Sequence, residues 1–296
     1  MSASAAGVVL VTHDTRDEVL AALAALDDFA GPVVVVDAGS SDGTADAVAT
    51  TRPRTRVLRL VNVGFGRAAN AGVAALPDDV SVAVIANADV RIGPLAIGRL
   101  VAALDADPEV ALVGPRVRYP DGAHQASARR TPDVPTALQH AALGRLRPDN
   151  AATRRYHALD LTGPDAVAAC DVDWVSGCAF AVRRHDFELV GGFDPGYRLF
   201  VEDVDLCVRL RARGRRIRFE PAAVVEHQVG ASTRRRPFRA RLLHARSLDR
   251  YLARHGSPPV RLLRPLLWPG LAVWAAATGV ATARAGATRS STGERR

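Results

Sequence analysis

The sequence predicts an α/β fold: a doubly wound, mostly parallel sheet flanked by helices, followed by a basic helical C-terminal arm. Three observations lead there. Short β-branched runs alternate with helical segments through the first half. Those runs are almost continuously apolar rather than alternating, which marks strands buried on both faces of a parallel sheet. Arginines then collect in "STRRRPFRARLLHARSLDRYLARHG" near the C-terminus.

Taken in order, "GVVLVT" (Gly7–Thr12) reads as a strand. "TRDEVLAALAAL" reads as a helix, with Thr15 and Glu18 spaced as a capping box. "PVVVVDAG" and "RVLRLVN" are strands, followed by helices beginning at "TADAVAT" and "GRAANAGVAAL". "VSVAVIANAD" is a strand and "GPLAIGRLVAAL" a helix. From about Tyr119 to Asp171 turn residues dominate, and a loop of that length in a compact domain is functional or flexible. Strand character resumes in "DVDWVSGCAFAVRR", and "RHDFELVGGF" is a short helix stopped by Gly191 and Gly192. A further helix opens at "EDVDLCVRLRARG", followed by the strand "RRIRFEP" and by "AAVVEHQVGAST". We expect a domain over 1–233 and an arm over 234–296.

The chain has 296 residues, 48% of them hydrophobic, which suits one sizeable domain with an appendage and excludes a disordered or fibrous chain. All 39 basic residues are Arg, against 31 acidic ones, for a net charge of +8. With the heavy Ala usage this points to a GC-rich genome rather than to a function. The basic arm could meet nucleic acid, an anionic membrane or a diphosphate, or be a solvated surface. Cys170, Cys178 and Cys207 show no CxxC spacing and fit a reduced, cytosolic chain. "MSASAAGVVLVTHD" has neither the basic nor the long apolar region of a signal peptide.

In sheets of this kind ligands bind beyond the carboxyl ends of the strands, so Asp37–Asp42, Asn62–Arg67 and Asn87–Asp89 are the loops to inspect. Asp37 can accept from a nucleobase imide or a ribose hydroxyl; a purely local capping role for its loop serves equally. Gly64 to Ala69 fits G-x-G-x-x-A, and Asp89 stands where a dinucleotide fingerprint needs an acid. This offers an NAD-dependent oxidoreductase as the alternative from another class. Against it, the motif follows the third strand rather than the first and leaves the acids at 202–205 unexplained. Asp89, at a strand mouth, suits a hard cation that bridges a diphosphate, with Asn87 a weaker neighbour; a turn-forming Asx pair is equally compatible. A lone His227 after a β-branched run is ordinarily structural, and partnership with Asp89 would favour a ligand role.

Glu202, Asp203 and Asp205 open a helix, where its dipole tolerates acids without any function. Asp205 stands four residues before Arg209, at ion-pair spacing. Val201, Val204 and Val208 are expected to form the inward face. Asp203 has Cys207 one turn on and no basic partner at that spacing, so it is the freer carboxylate.

Assembled in order, "VVDAGSSDGT", "NVGFGRAANAG", "NAD" at 87–89, "WVSGCAFAVRR" at 174–184, "GGFDPGYRLFVEDVDLCVRLRARG" and "EHQVGAST" resemble the family 2 glycosyltransferases, inverting enzymes of GT-A fold. Within that family the chain looks most like the actinobacterial rhamnosyltransferases that act on decaprenyl-diphosphate N-acetylglucosamine. The overall length, the "YPDGAHQASARRTPDVPTALQHAALG" insert and the basic arm carry this finer likeness.

The resemblance implies roles. Asp203 is the general base, with Glu202 orienting the acceptor or the base. Thr12, Asp37, Asn62, Gly66, Arg67 and Asn87 line the donor side, Asp37 reading the nucleobase. Asp89 and His227 hold a divalent cation, Mg²⁺ or Mn²⁺. Trp174 is the acceptor-side aromatic. Asn87 departs from the Asp often found first in the metal motif, so modest metal affinity is expected. His13 stands where relatives commonly carry Tyr, which changes the stacking expected on a base.

The expected partners are a nucleotide-sugar donor (dTDP-rhamnose first, UDP-galactofuranose or GDP-mannose as alternatives), a lipid-linked sugar acceptor and an anionic membrane surface, not nucleic acid. Oligomeric state stays open. The arm is expected to hold the protein peripherally on the inner face of the membrane, through apolar residues and Arg attraction to anionic lipid. Its "PLLWPGLAVWAAATGVATA" run is too rich in Pro, Ala and Gly to make a good spanning helix. Packing of the arm on the domain is the alternative.

Overall fold

The computed structural model describes residues 4–131, 147, 150–228 and 237–266. Strands β1 (Ala6–Thr12), β2 (Val33–Ala38), β3 (Arg56–Leu60) and β4 (Val82–Asn87) alternate with helices α1 (Arg16–Ala24), α2 (Thr44–Thr51) and α3 (Phe65–Ala74). Next come β5 (Val90–Arg91), α4 (Pro94–Asp105) and β6 (Val110–Arg118). The turn-rich insert contains β7 (His124–Gln125), β8 (Ala128–Arg129), α5 (Ala151–Tyr156) and α6 (Leu159–Thr162). The chain then forms β9 (Cys170–Val172), β10 (Trp174–Val175), β11 (Ala179–Arg183), α7 (Arg184–Leu189), α8 (Glu202–Arg211), β12 (Arg216–His227) and α9 (Pro237–His255). Residues 258–266 are again helical.

The main sheet runs β3-β2-β1-β4-β11-β6-β12-β5. β3, β2, β1 and β4 are mutually parallel, as are β6 and β12. β11 enters antiparallel between β4 and β6, so the sheet is mixed rather than uniformly parallel. Alternate side chains of β1 serve opposite layers. Val8 and Leu10 pack with α1 and α4 residues such as Val19 and Leu100, while Val9 and Val11 pack with Ala69 and Val73 of α3. Two dry faces are why the strand sequences read as continuous apolar runs.

Three local expectations need correction. β3 is the sheet edge, with Arg56 and Arg59 exposed, so it is not buried on both faces; edge charges block strand addition. The capping box at Thr15 does not form: Thr15 is the N-cap residue but makes no side-chain cap bond, because its hydroxyl pairs with that of Thr12 at 2.8 Å. The inward face of α8 is Leu206, Cys207 and Leu210, whereas Val204 and Val208 are only half-buried. Helix α9, the described start of the arm, packs on the domain, with Ala245 fully buried and Ser247 nearly so. The apolar run from Pro265 to Ala283 lies outside the described residues beyond 266. Among the described residues no helix is long and apolar enough to cross a membrane.

Candidate active site

The carboxyl ends of β1, β2 and β4 lie side by side, with Thr12 in register with Asp37 and Val11 with Asn87. Thr12 and Asp37 are buried, and one Asp37 oxygen accepts the Ser40 N–H at 2.8 Å. The loop after β3 brings Asn62 to the same edge, its amide 3.1 Å from His13 Nε2. Gly66 packs at the start of α3: a Cβ there would stand 2.9 Å from Phe193 Cβ. Arg67 is exposed and donates to the Pro195 carbonyl at 3.0 Å. The glycine loop thus meets the 193–198 segment, and the acid paired with it in the dinucleotide reading, Asp89, has another partner.

That partner is His227. Its Nε2 lies 3.2 Å from Asp89 Oδ1, with both side chains largely buried. β12 carries His227 and pairs with β5, directly after Asp89, at His227↔Val90. Nδ1 of the imidazole is 3.1 Å from Gln125 Oε1, which orients the ring and leaves Nε2 towards Asp89. Burial opposes a proton on this ring, but hydrogen bonding to Asp89 and Cys178 outweighs it and raises the pKa to about 10. A divalent cation at this pair would take the place of the proton that the imidazole otherwise holds against Asp89. Among the described residues no set of three or more His, Cys, Asp and Glu converges. The Asp89–His227 pair therefore fits a hard cation that keeps water or diphosphate oxygens as its remaining ligands.

The second centre is the start of α8. Asp203 Oδ2 accepts the Gly177 N–H at 2.8 Å, and Oδ1 accepts the Val204 N–H at 2.9 Å. Burial raises the Asp203 pKa against these two bonds and the field of Arg129. Glu202 is 6% exposed, and its Oε2 has no hydrogen-bond partner among the described residues. Burial first, and the neighbouring Asp203 second, push its pKa up to about 8. Asp205, in contrast, is fully buried and paired with Arg209 at 2.7 Å, as its spacing suggested.

Gly177 and Cys178 tie the two centres together. While Gly177 holds Asp203, the Cys178 carbonyl accepts the Asn87 N–H at 2.9 Å. The same turn follows β10, which places Trp174 in register with Arg129 of β8. The Arg129 guanidinium lies 5.2 Å from the Trp174 ring centre and 5.2 Å from that of Tyr156. Sequence reasoning missed Arg129 and Tyr156, both inside the insert. Only the insert's length pointed towards them.

The glycosyl transferase family 2 profile matches residues 8–177. The chain is 34% identical over 274 residues to the N-acetylglucosaminyl-diphospho-decaprenol L-rhamnosyltransferase of Mycobacterium tuberculosis (strain ATCC 25618 / H37Rv), covering 88% of this chain and 87% of that one. It is 42% identical over 83 residues to the rhamnosyltransferase WbbL of Escherichia coli K12, 28% of this chain and 31% of that one. Among solved structures it resembles the mannosyltransferase PcManGT of Pyrobaculum calidifontis, in complex with GDP-Man and Mn²⁺, at a TM-score of 0.55 and 19% identity, covering 97% of this chain and 76% of that one. GalNAc-T7 with UDP, GalNAc and Mn²⁺ matches at a TM-score of 0.59 and 16% identity, covering 84% and 48%. These two likenesses are of GT-A fold. The chain therefore belongs to glycosyl transferase family 2 and is a glycosyltransferase.

Proposed function

We propose that this enzyme transfers L-rhamnose from dTDP-rhamnose to a polyprenyl-diphosphate-linked N-acetylglucosamine, by single displacement with inversion. The observation that carries the mechanism is Asp203: a carboxylate oriented by two backbone N–H groups, with no ion pair among the described residues, joined through Gly177–Cys178 to the strand mouth bearing Asp89. The sugar and acceptor are taken from the 34%-identical relative.

Asp203 accepts the proton of the acceptor hydroxyl as its oxygen attacks the anomeric carbon. The bond from that carbon to the diphosphate breaks, and its electron pair leaves with the nucleoside diphosphate. One reacting carboxylate without a second nucleophile implies inversion rather than a covalent two-step route. A divalent cation held by Asp89 and His227 would neutralise the charge of the departing diphosphate. Thr12, Asp37, Asn62 and Asn87 border the donor; Gly66 and Arg67 support that border through Phe193 and Pro195. Trp174, with Tyr156 and Arg129, walls the acceptor side.

The catalytic unit takes residues 1–233 and the arm 234–296. We place the enzyme at the inner membrane face. Support comes from residues 258–266, where Leu262, Leu263 and Leu266 are 80%, 51% and 75% exposed beside Arg261 and Arg264. Truncation after His255 keeps α9 and should abolish flotation with anionic liposomes; unchanged flotation rejects the attachment. For the reaction, nucleoside diphosphate release is measured over a panel of nucleotide sugars with Mg²⁺ or Mn²⁺ and a lipid-linked N-acetylglucosamine acceptor. Release from UDP-galactofuranose or GDP-mannose but not from dTDP-rhamnose would replace the donor.

A further inference from the structure

We propose that helix α9 of the arm is a positioning element for the reacting carboxylates, acting through the 194–201 segment that leads into α8. The proposal rests on the assignment of Asp203 as base.

Contacts from one face of α9 fall on this segment and on the first turn of α8. Arg250 grips the Asp194 carboxylate with Nη2 at 3.0 and 2.8 Å and Nε at 3.1 Å, and Arg254 adds a contact at 2.7 Å. The Arg250 guanidinium also lies 5.5 Å from the Tyr197 ring centre. It occupies the space that a Cβ on Gly196 would take. Ser247 donates to the Leu199 carbonyl at 2.9 Å, and the His244 ring packs tilted against Phe200 with ring centres 5.0 Å apart. His255 Nε2 meets Asp205 Oδ1 at 2.7 Å, the oxygen that also accepts the Tyr197 hydroxyl at 3.2 Å.

The segment needs such restraint. Phe200 and Val201 have φ of 66° and 70°, the left-handed region, where a β-branched residue such as Val201 is an outlier. Such conformations persist when surrounding contacts over-determine them. Val201 is also the N-cap residue of α8 and makes no side-chain cap bond, so the helix start has no local device of its own. The next two residues are Glu202 and Asp203. On its other side the segment touches the donor loop, through Arg198 to the Asn62 carbonyl at 3.2 Å and Arg67 to that of Pro195. α9 presses the segment from outside, and the backbone at 200–201 transmits that placement to the carboxylates.

The test is the full-length Arg250→Ala/Arg254→Ala enzyme, assayed in detergent micelles with a short-chain polyprenyl-diphosphate N-acetylglucosamine, so that membrane attachment does not enter. A misplaced base should lower kcat by roughly 10- to 100-fold. Affinity for dTDP with Mn²⁺ should shift by less than about threefold, since the loss is confined to the reacting geometry. Amide exchange should rise over 197–205 and stay unchanged in β1 and β4. Arg250→Lys/Arg254→Lys, which keeps the charge, should recover part of kcat. If the double alanine variant fails to fold, the same panel is run with Asp194→Asn added, which leaves no unpaired carboxylate. A variant with kcat within about twofold of wild type, beside an inactive Asp203→Asn enzyme, overturns the positioning role. An active Asp203→Asn enzyme overturns the base assignment instead.

Discussion

The Gly177 N–H donates to Asp203 Oδ2 at 2.8 Å, so the turn before β11 and the first turn of α8 hold one carboxylate between them. A backbone donor fixes the direction of this oxygen without neutralising it as a salt bridge would. Asp203→Asn keeps the shape and loses the proton acceptor. Turnover should fall by at least roughly 10²-fold, the lower range for a positioned base, while dTDP affinity hardly moves. Single-turnover kinetics and calorimetry on the same preparation check both halves, and an active Asn variant would shift the role to Glu202.

Asp205 is two residues away and has a different occupation. It is fully buried and meets Arg209 at 2.7 Å, His255 at 2.7 Å and the Tyr197 hydroxyl at 3.2 Å. Removing one member of a buried charged cluster leaves the others uncompensated, at a cost of about 3–5 kcal/mol. Asp205→Ala should therefore lose stability of that order in urea unfolding, more than Asp203→Asn does. The milder Asp205→Asn should retain more turnover than Asp203→Asn. Equal stability of the Asp205→Ala and wild-type enzymes would contradict the cluster's role.

Asp89 and His227 make a prediction about cations. The two side chains stand 3.2 Å apart, with Gln125 behind the imidazole. Asp89→Ala should abolish the metal-dependent part of dTDP binding and leave the far-ultraviolet circular dichroism unchanged. Calorimetric titration of dTDP with Mn²⁺ and with EDTA measures it. Identical wild-type affinities in the two conditions would refute a metal at this pair.

Much of this frame was legible because it is written locally. Val8 to Val11 and Val82 to Ile85 announce strands buried on both sides, and the loops after them follow from the fold class. The Asp205–Arg209 pair was legible because helical spacing alone creates it. The partnership of Arg129 with Trp174 was not: it depends on β8 pairing with β10 across the insert, and short pairings between turn-rich segments leave little periodic signal. The same holds for Arg250 and Asp194, 56 residues apart. Nor does a valine announce the left-handed backbone at Val201. The expected Val204 and Val208 face failed because the buried stripe of α8 is set by Leu206, Cys207 and Leu210 against the sheet.

Arg129 separates acceptor from donor effects. Its guanidinium lies 5.2 Å from the centres of both aromatic rings, donates to the Ala126 carbonyl and touches His157 Nδ1, and it forms no ion pair among the described residues. Arg129→Ala removes the cation that braces Trp174 and lowers the Asp203 pKa. The KM for acceptor should rise by roughly tenfold, equivalent to about 1.4 kcal/mol, with donor KM unchanged. Initial rates with each substrate varied in turn decide this, and a rise in donor KM alone would move Arg129 to the donor side.

Glu202 gives the enzyme a stability term of definite sign. Its carboxyl is raised from 4.5 to about 8, by burial and then by Asp203. In the unfolded chain the group releases its proton near its ordinary value, whereas the folded protein holds it until near 8. Between those two values the folded state binds more protons than the unfolded one, so stability falls as pH rises. The contribution is complete below the lower value, is lost through the window, and is constant above it. Carboxylates held below their usual range, Asp194 among them, act oppositely and at lower pH. The comparison with Glu202→Gln isolates the term, because the amide keeps the shape but does not titrate. Relative to wild type, the Gln variant should gain stability steadily as pH rises from about 4.5 to about 8 and no further outside it. Urea midpoints measured across that range for both proteins read the difference directly. Parallel curves would mean that Glu202 is already ionised in the folded enzyme, so that the pair at the start of α8 carries two negative charges rather than sharing one proton.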